Sequence, residues 1–502
     1  MLTALVVLPV AVAALLMCVP RTAPRAVFPA VWIAAAAVEL LITVMVWAGY
    51  RAEGGMQYEA RARWIPSAGI GYHVGVDGLS LPLVALTCVL FLACALYATR
   101  QRRRVREFAA LFLFLQTTCV GLFVALDLIL FFLFFDLSIV GMYAVIAGWG
   151  QRGAARSALQ FFLYTFVGSL ALLLGFLGLY LAADPHTFDV TELTAANPLA
   201  ERPGQGALVL SALALGLAVK TPTVPFHTWL PPAHTDAPAA GSAILAGVLL
   251  KMGTYGFLRI VLPVLPAAWR EYAVVFVVVG VVSVVYGALV ALAQSDFKRM
   301  IAYTSVTHMG YIVLALGAAG AVSVGSADAV RLAVDGAVFQ MVSHGLLTGA
   351  LFLLAGVLHE RGRTYDMDAY SGLAARAPVF AALTGVAAFA SLGLPGFSGF
   401  IAEFQILAGS LGPRPVATGV AVLGLLLTAG LFLRALQSVL MGPPRLPAGA
   451  PGATRPFRDI GGREALAIVP LLVLGVVLGL TPRFVLDVVE PASRGVLELL
   501  AR

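Results

Sequence analysis

Charge is what this sequence has least of. Only 11% of its 502 residues are Asp, Glu, Lys or Arg, against 61% hydrophobic, whereas a soluble domain carries roughly 25% charged residues. Less than half the usual solvating surface is present, which excludes an ordinary soluble fold. Cysteine is scarce too. Cys18, Cys88, Cys94 and Cys119 stand singly in apolar segments, without CxxC or Cys/His spacing, so they read as packing residues and not as ligands of zinc or an iron–sulfur cluster. Nor does a glycine-rich phosphate or dinucleotide loop occur between a strand and a helix. Any redox chemistry associated with this chain is expected outside it, and no metal or cofactor in it. Lysine is the rarest charge: of 32 basic residues only Lys220, Lys251 and Lys298 are lysine.

What is present is apolar sequence in runs of about 20 residues, the length that crosses a ~30 Å hydrocarbon core. These predict an all-α polytopic membrane protein of about fourteen spans, beginning near residues 2, 27, 79, 108, 128, 157, 207, 238, 272, 300, 332, 378, 415 and 465. The first run, Leu2–Val19, lacks a basic leader and a small-residue cleavage pattern, and reads as a retained span. The net charge of +7 then marks topology and not nucleic-acid binding. Arg21 and Arg25, the run from Arg100 to Arg106, Arg152 and Arg156, Lys298 and Arg299, Arg361 and Arg363, and Arg455, Arg458 and Arg463 all fall in odd-numbered loops. The loop bearing Asp184, Asp189, Glu192 and Glu201 is acidic. The positive-inside rule places odd loops in the cytoplasm and both termini outside.

Lys220 and Lys251 lie inside apolar spans. Arginine stays protonated at any accessible pH, whereas a desolvated lysine can shed its proton. A chain biased to arginine that keeps lysine there points to a residue that must lose and regain a proton; a structural ion pair is the alternative. Intramembrane charges face a bundle interior or a wet cavity. Directly after Lys220, Pro222 and Pro225 interrupt the helix, and a second break falls at Pro395 and Gly396, before Glu403. Such breaks persist in lipid only where protein or water satisfies the freed backbone groups. Each broken span is fourth in a block of five, so residues 108–262 (helices 4–8) and 272–440 (helices 9–13) read as inverted repeats. They are flanked by 1–107 (helices 1–3) and by 441–502, a cytoplasmic loop, helix 14 and a tail. In that tail, Phe484–Leu500 reads as a short amphipathic or partner-binding stretch.

Asp136 sits too deep in the fifth span to reach water easily, while Asp127 at its edge reads as solvated or capping. His308 and His344 stand in apolar helices and can serve packing or, since histidine titrates near neutrality, a proton relay. His73, His186, His227, His234 and His359 read as structural or interfacial.

The segments Gly75-Val76-Asp77-Gly78-Leu79-Ser80, Phe161-Phe162-Leu163-Tyr164-Thr165, Pro225-Phe226-His227-Thr228-Trp229-Leu230-Pro231, Leu249-Leu250-Lys251-Met252-Gly253, Gln294-Ser295-Asp296-Phe297-Lys298-Arg299 and Gly393-Leu394-Pro395-Gly396 together resemble the antiporter-like subunits of respiratory NADH–quinone oxidoreductase (complex I). The form of the Phe-His-Thr-Trp-Leu-Pro motif and the lack of a long lateral helix favour the subunit M type over types L and N. The likeness spans roughly residues 64 to 482. It implies a bacterial inner-membrane, proton-translocating subunit with subunits L and N as neighbours, and with FMN, iron–sulfur clusters and quinone in other subunits. It implies that Asp136 pairs with Lys220, that Lys251 is the central lysine, that His308 and His344 line a hydrated axis, and that Glu403 faces the next subunit. The family's fifth-helix position is usually glutamate, one methylene longer than Asp136. Pro232, Asp236 and Gln160 also depart from its usual residues. A multi-subunit cation/proton antiporter or a membrane-bound hydrogenase subunit is the nearest alternative; a vestigial scaffold or a stand-alone solute carrier fits the residues less well.

Overall fold

A computed structural model describes residues 1–151, 153–323, 325–447 and 457–501; Arg152 and Arg455, two of the topology-marking arginines, lie outside them. The backbone is overwhelmingly helical, as lipid requires of a chain whose polar backbone groups must be satisfied within each segment. Helices α1 (Leu2–Cys18) and α2 (Val27–Gly49) precede a hairpin, followed by α3 (Leu81–Tyr97), α4 (Val105–Val124), α5 (Leu128–Trp149), α6 (Ala154–Ala182) and the short α7 (Val190–Ala196). Next come α8 (Pro203–Lys220), α9 (Leu230–Asp236), α10 (Ala239–Val264), α11 (Pro266–Leu292), α12 (Phe297–Ala319) and α13 (Ala327–Gly362). The chain continues through α14 (Pro378–Ser391), α15 (Ser398–Leu411), α16 (Pro415–Leu440), α17 (Gly462–Leu480) and α18 (Arg483–Ala501). Among the described residues, twelve helices are long and apolar enough to cross a membrane. Their starts fall within a few residues of those expected from hydropathy.

Two helices break where the sequence places prolines. α8 stops at Lys220, and a turn carrying Pro222 and Pro225 leads into α9. α14 stops at Ser391, and the link to α15 contains Gly393 at φ +80° and Gly396 at φ +97°, a left-handed backbone that glycine adopts without a Cβ penalty. The deepest helices are α10 and α13: the best 18-residue window of each is wholly buried, against 33% for α2 and α16. They form the centre of the bundle, with α2 and α16 presenting broad outer faces to lipid.

Among the described residues, the strands that depart from an all-helical chain form one antiparallel hairpin of β1 (Gln57–Ile65) and β2 (Ile70–Val76), with Arg61 opposite His73. Its signal was in the sequence: Glu59, Arg61 and Arg63 alternate with Ala60, Ala62 and Trp64, the period of a strand and not of a helix. His73 ties the hairpin to α7, its Nδ1 2.6 Å from Asp189 and its Nε2 2.9 Å from Glu59. Burial pulls the imidazole's pKa down, but the bonds to Asp189 and Glu59 outweigh it and hold it above its ordinary value. Burial likewise raises Asp189, yet the bonds from His73 and Thr191 bring it down to about 2. The histidine's contribution is therefore complete below its unfolded pKa of about 6.5 and is lost as pH rises through the raised folded value. That of Asp189 is present above about 3.9 and disappears only as pH falls through its folded pKa. Amide-exchange protection of β1 and β2 should accordingly drop as pH rises above about 6.5, and His73→Gln should flatten that dependence; protection that does not change with pH would refute the tie.

Asp127 caps α5, accepting from the amides of Ile129 (2.8 Å) and Leu130 (3.0 Å), and also from Gly71 of the hairpin (3.0 Å). It is buried, so of its two expected roles the capping one applies. On the same side, the Arg259 guanidinium of α10 meets the Asp77 carboxylate, both buried, and donates to Tyr255 Oη at 3.0 Å. Asp77 also accepts from the amides of Leu79 (3.0 Å) and Ser80 (3.1 Å), which fixes the entry to α3. Breaking a buried pair leaves an uncompensated charge, so Asp77→Ala should cost about 3–5 kcal/mol. Arg259→Leu added to it should recover much of that loss. Thermal unfolding of the detergent-solubilised protein checks both.

Candidate functional site

α10 is not a plain α-helix: residues Leu245–Leu249 and Phe257–Val261 form π-helical turns, a device that is frequent at functional sites because it frees a carbonyl and re-aims side chains. Lys251 follows the first such turn. Its Nζ, fully buried, donates to Ala246 O at 2.5 Å and lies 2.6 Å from His344 Nδ1 on α13. The other ring nitrogen of His344, Nε2, is 3.2 Å from Ser305 Oγ on α12. With Lys251 as ammonium, Nδ1 is the acceptor and Nε2–H the donor; a proton added to one side releases one from the other.

His344 and His308 face each other edge to face, ring centroids 5.2 Å apart. His308 Nδ1 lies 3.0 Å from Glu403 Oε1, and the Gln340 amide reaches both, at 3.1 Å and 3.5 Å. All of these side chains are buried. The fold thus gathers Lys251, His344, His308 and Glu403, from four helices, into one file of polar contacts through the centre of the bundle. Glu403 owes its place to the broken helix: α15 begins afresh after Pro395-Gly396-Phe397, and its carboxylate arrives in its second turn.

Lys220 ends α8 at the other break. Its Nζ donates to Ser138 Oγ at 3.0 Å and sits 4.6 Å from the Phe135 ring centroid. Asp136 occupies the same turn of α5, but its Oδ1 is buried without a hydrogen-bond partner, and no direct salt bridge joins the two among the described residues. The ammonium is held by serine and an aromatic face, and an aspartate falls one methylene short of the reach a glutamate would have. The break brings α8 hard against α10: a Cβ on Gly253 would stand 2.3 Å from Thr221 Oγ1. Lys220 and Lys251 are therefore on touching elements.

Lys298 requires a correction. Its place beside Arg299 suggested a cytoplasmic loop charge, yet it is wholly buried. It donates to Ala237 O (2.5 Å) and Thr235 O (3.4 Å) at the end of α9 and stands 5.1 Å from the Tyr365 ring centroid. All three lysines are buried, so lysine scarcity was the signal that would have found it. His234, expected to be a structural edge residue, is also wholly buried; it stacks on Phe352 at 4.5 Å and leaves both ring nitrogens without partners. Glu39, in the middle of α2, was not anticipated at all. It is fully buried and accepts a hydrogen bond from the Gln116 side chain, away from the central file.

A family model described as NADH:quinone oxidoreductase/Mrp antiporter, transmembrane, matches residues 125–428, which include every residue of the file. The chain is 40% identical over 436 residues to NADH-quinone oxidoreductase subunit M of Rickettsia conorii, covering 86% of this chain and 84% of that protein. The chain belongs to the subunit M family of NADH–quinone oxidoreductases. A subunit M chain need not serve NADH: the F(420)H(2) dehydrogenase subunit M of Methanosarcina mazei is 37% identical, over 89% of this chain and 88% of that one. A chain of respiratory complex I from Thermus thermophilus with bound NADH superposes with a TM-score of 0.88 at 30% identity, each chain covered in full. The Mrp complex from Dietzia supplies a chain with TM-score 0.85 at 22% identity, over 100% of this chain and 99% of that one, which speaks to the shared fold alone.

Proposed function

We propose that this chain is the proton-translocating antiporter-like subunit in the membrane arm of an NADH–quinone oxidoreductase. The observation that carries the reading is the buried file Lys251–His344–His308–Glu403, polar contacts at its two ends and an edge-to-face pair of imidazoles between them, with a second lysine, Lys220, on the adjoining broken helix. Membership of the subunit M family supports it. Subunits L and N are the neighbours this reading expects, FMN, iron–sulfur clusters and quinone belong to other subunits, and the membrane is the bacterial inner membrane. Counting α1 and the interrupted pair α14–α15 as spans gives fourteen, with both termini outside and helices 4–8 and 9–13 as the two repeats.

The mechanism is a charge relay. While Asp136 is ionised it favours the ammonium form of Lys220. When its charge is screened or displaced, Lys220 passes its proton towards Lys251. From there it moves through His344 and His308 to Glu403, along the buried file. A unit charge ~4 Å away at an effective dielectric near 20 acts by about 4 kcal/mol, and about 1.4 kcal/mol changes a protonation ratio tenfold. Moving one carboxylate therefore suffices to reload or empty a lysine. Quinone chemistry elsewhere in the complex would supply the displacement.

Purifying the tagged chain from its native membrane in mild detergent tests the assignment. NADH–quinone activity, flavin and iron–sulfur centres should co-purify with it. Recovery with other hydrophobic subunits but no redox centre would instead favour a cation/proton antiporter built on the same fold.

A further inference from the structure

Asp335 lies in the third turn of α13, buried to 2% exposure, and belongs to no step described so far. It sits five residues before Gln340, the residue that touches both His308 and Glu403 and whose own Oε1 is buried without a partner. α13 and α15 run antiparallel in close contact: a Cβ on Gly336 would stand 3.0 Å from Ala402 O and 2.8 Å from Ile406 N. Glu403 is therefore level with the Asp335–Gly336 turn to within about one helical turn, ~5 Å. On its far side Asp335 accepts a hydrogen bond from Ser493 of α18 and lies 4.0 Å from Arg331 Nη1. Arg331 in turn reaches Glu490 Oε2 at 3.4 Å. Side-chain exposure climbs along this series, from 3% at Asp335 to 28% at Arg331 and 42% at Glu490. From Asp335, within about one helical turn of the level of Glu403, polar contacts thus lead stepwise to the surface.

We infer that Asp335 is the proton-release residue of this chain, taking the proton from Glu403 through water held beside Gln340 and passing it to Glu490 and solvent beneath the C-terminal helix. The inference rests on the translocation reading above. In each step one carboxyl loses a proton and the next carboxylate gains it, so charge and atoms balance without a co-reactant. Arg331 restores the ionised form of Asp335 after release by offering the carboxylate a nearby positive charge. Such a positioned acid–base group typically contributes 10²- to 10⁴-fold to a proton-transfer step.

The test uses the assembled complex in sealed vesicles, reading electron-transfer-driven proton ejection with a pH-sensitive dye. Asp335→Asn keeps the shape and the serine bond but cannot carry the proton, and should reduce ejection at least about tenfold. Asp335→Glu should restore most of it. Val489→Ala loosens α18 one turn from Ser493 with the carboxyl intact, and should eject at the wild-type rate. If Val489→Ala falls as far as Asp335→Asn, the cluster is only a latch for the C-terminal helix and the inference is overturned. If Asp335→Asn ejects normally while Glu403→Gln does not, release runs elsewhere and the inference alone fails. If Glu403→Gln also ejects normally, the translocation reading itself has failed.

Discussion

Lys251→Arg should stop proton ejection almost completely while leaving the complex assembled. The reason lies in what the two side chains can do and not in their charge. Lys251 Nζ is enclosed between Ala246 O and His344 Nδ1 with no exposure to solvent. An ammonium there can hand a proton to His344 and stay behind as a neutral amine. A guanidinium cannot, because it remains protonated at every accessible pH, so the file would be plugged by a permanent charge. Losing an acid–base group of this kind costs about 10²- to 10⁴-fold in the proton-transfer step. Arginine is also bulkier, and a failure could be one of fit. Lys251→Met answers that: it is neutral and of similar length, so it relieves the charge but carries no proton. Both variants should fail, for opposite reasons, with normal amounts of the assembled complex on native gels. Substantial ejection by either would mean that Lys251 is structural and that the π-turn before it serves packing.

The spans and both helix breaks were legible in the sequence, since their physics is local: a run of apolar residues has one reading in lipid, and the pair Pro222 and Pro225, or Pro395 beside Gly393 and Gly396, breaks a helix where a lone Pro470 is carried within one. Lys220 and Lys251 were legible for a compositional reason, lysine surviving inside apolar runs of an arginine-rich chain. The file itself was not. Its members come from four helices, and nothing in the spacing of His308, His344 and Glu403 says that one imidazole lies 3.0 Å from the carboxylate and the other 2.6 Å from Lys251. Lys298 was misplaced because its burial depends on carbonyls some sixty residues earlier, at the end of α9, while its chain neighbours look like a loop. Asp335 and Glu39 escaped for related reasons. Asp335 lies two turns into α13, near an acid and an arginine that look solvated, and its partner Ser493 on α18 is 158 residues away in the chain. Glu39 is a single carboxylate in a long apolar helix, and that was a signal available to hydropathy alone.

The π-turn of α10 connects these points. An unbroken α-helix would bond the Ala246 carbonyl to the backbone four residues on, whereas here that oxygen accepts from Lys251 Nζ. Lys251 meets α13 while Gly253 and Gly256 pack against α8. The irregularity costs backbone hydrogen bonding at membrane depth, where no water compensates for it, and the lysine supplies the missing donor.

Asp136→Asn should slow proton ejection about thirty- to a hundredfold, and Asp136→Glu should not slow it at all. Asp136 influences Lys220 without touching it, because the ammonium is bonded to Ser138 Oγ and set over Phe135 while Asp136 Oδ1 has no partner. Across one bridging water, a separation of ~6–8 Å, a unit charge at an effective dielectric near 20 acts by about 2–3 kcal/mol, which is the fold-change given at about 1.4 kcal/mol per factor of ten. Asparagine removes that influence and keeps the volume, so its effect isolates the charge. Glutamate reaches one methylene further, bringing its carboxylate within range of a direct pair, and should hold the ammonium form more firmly. The two variants therefore bracket the relay. If asparagine ejects protons at the wild-type rate, the carboxylate does not govern Lys220, and the first step of the proposed relay must be assigned to another group. If asparagine fails and glutamate fails with it, a tight pair is as harmful as none, and the gap left by the shorter aspartate is what lets Lys220 release its proton in this chain.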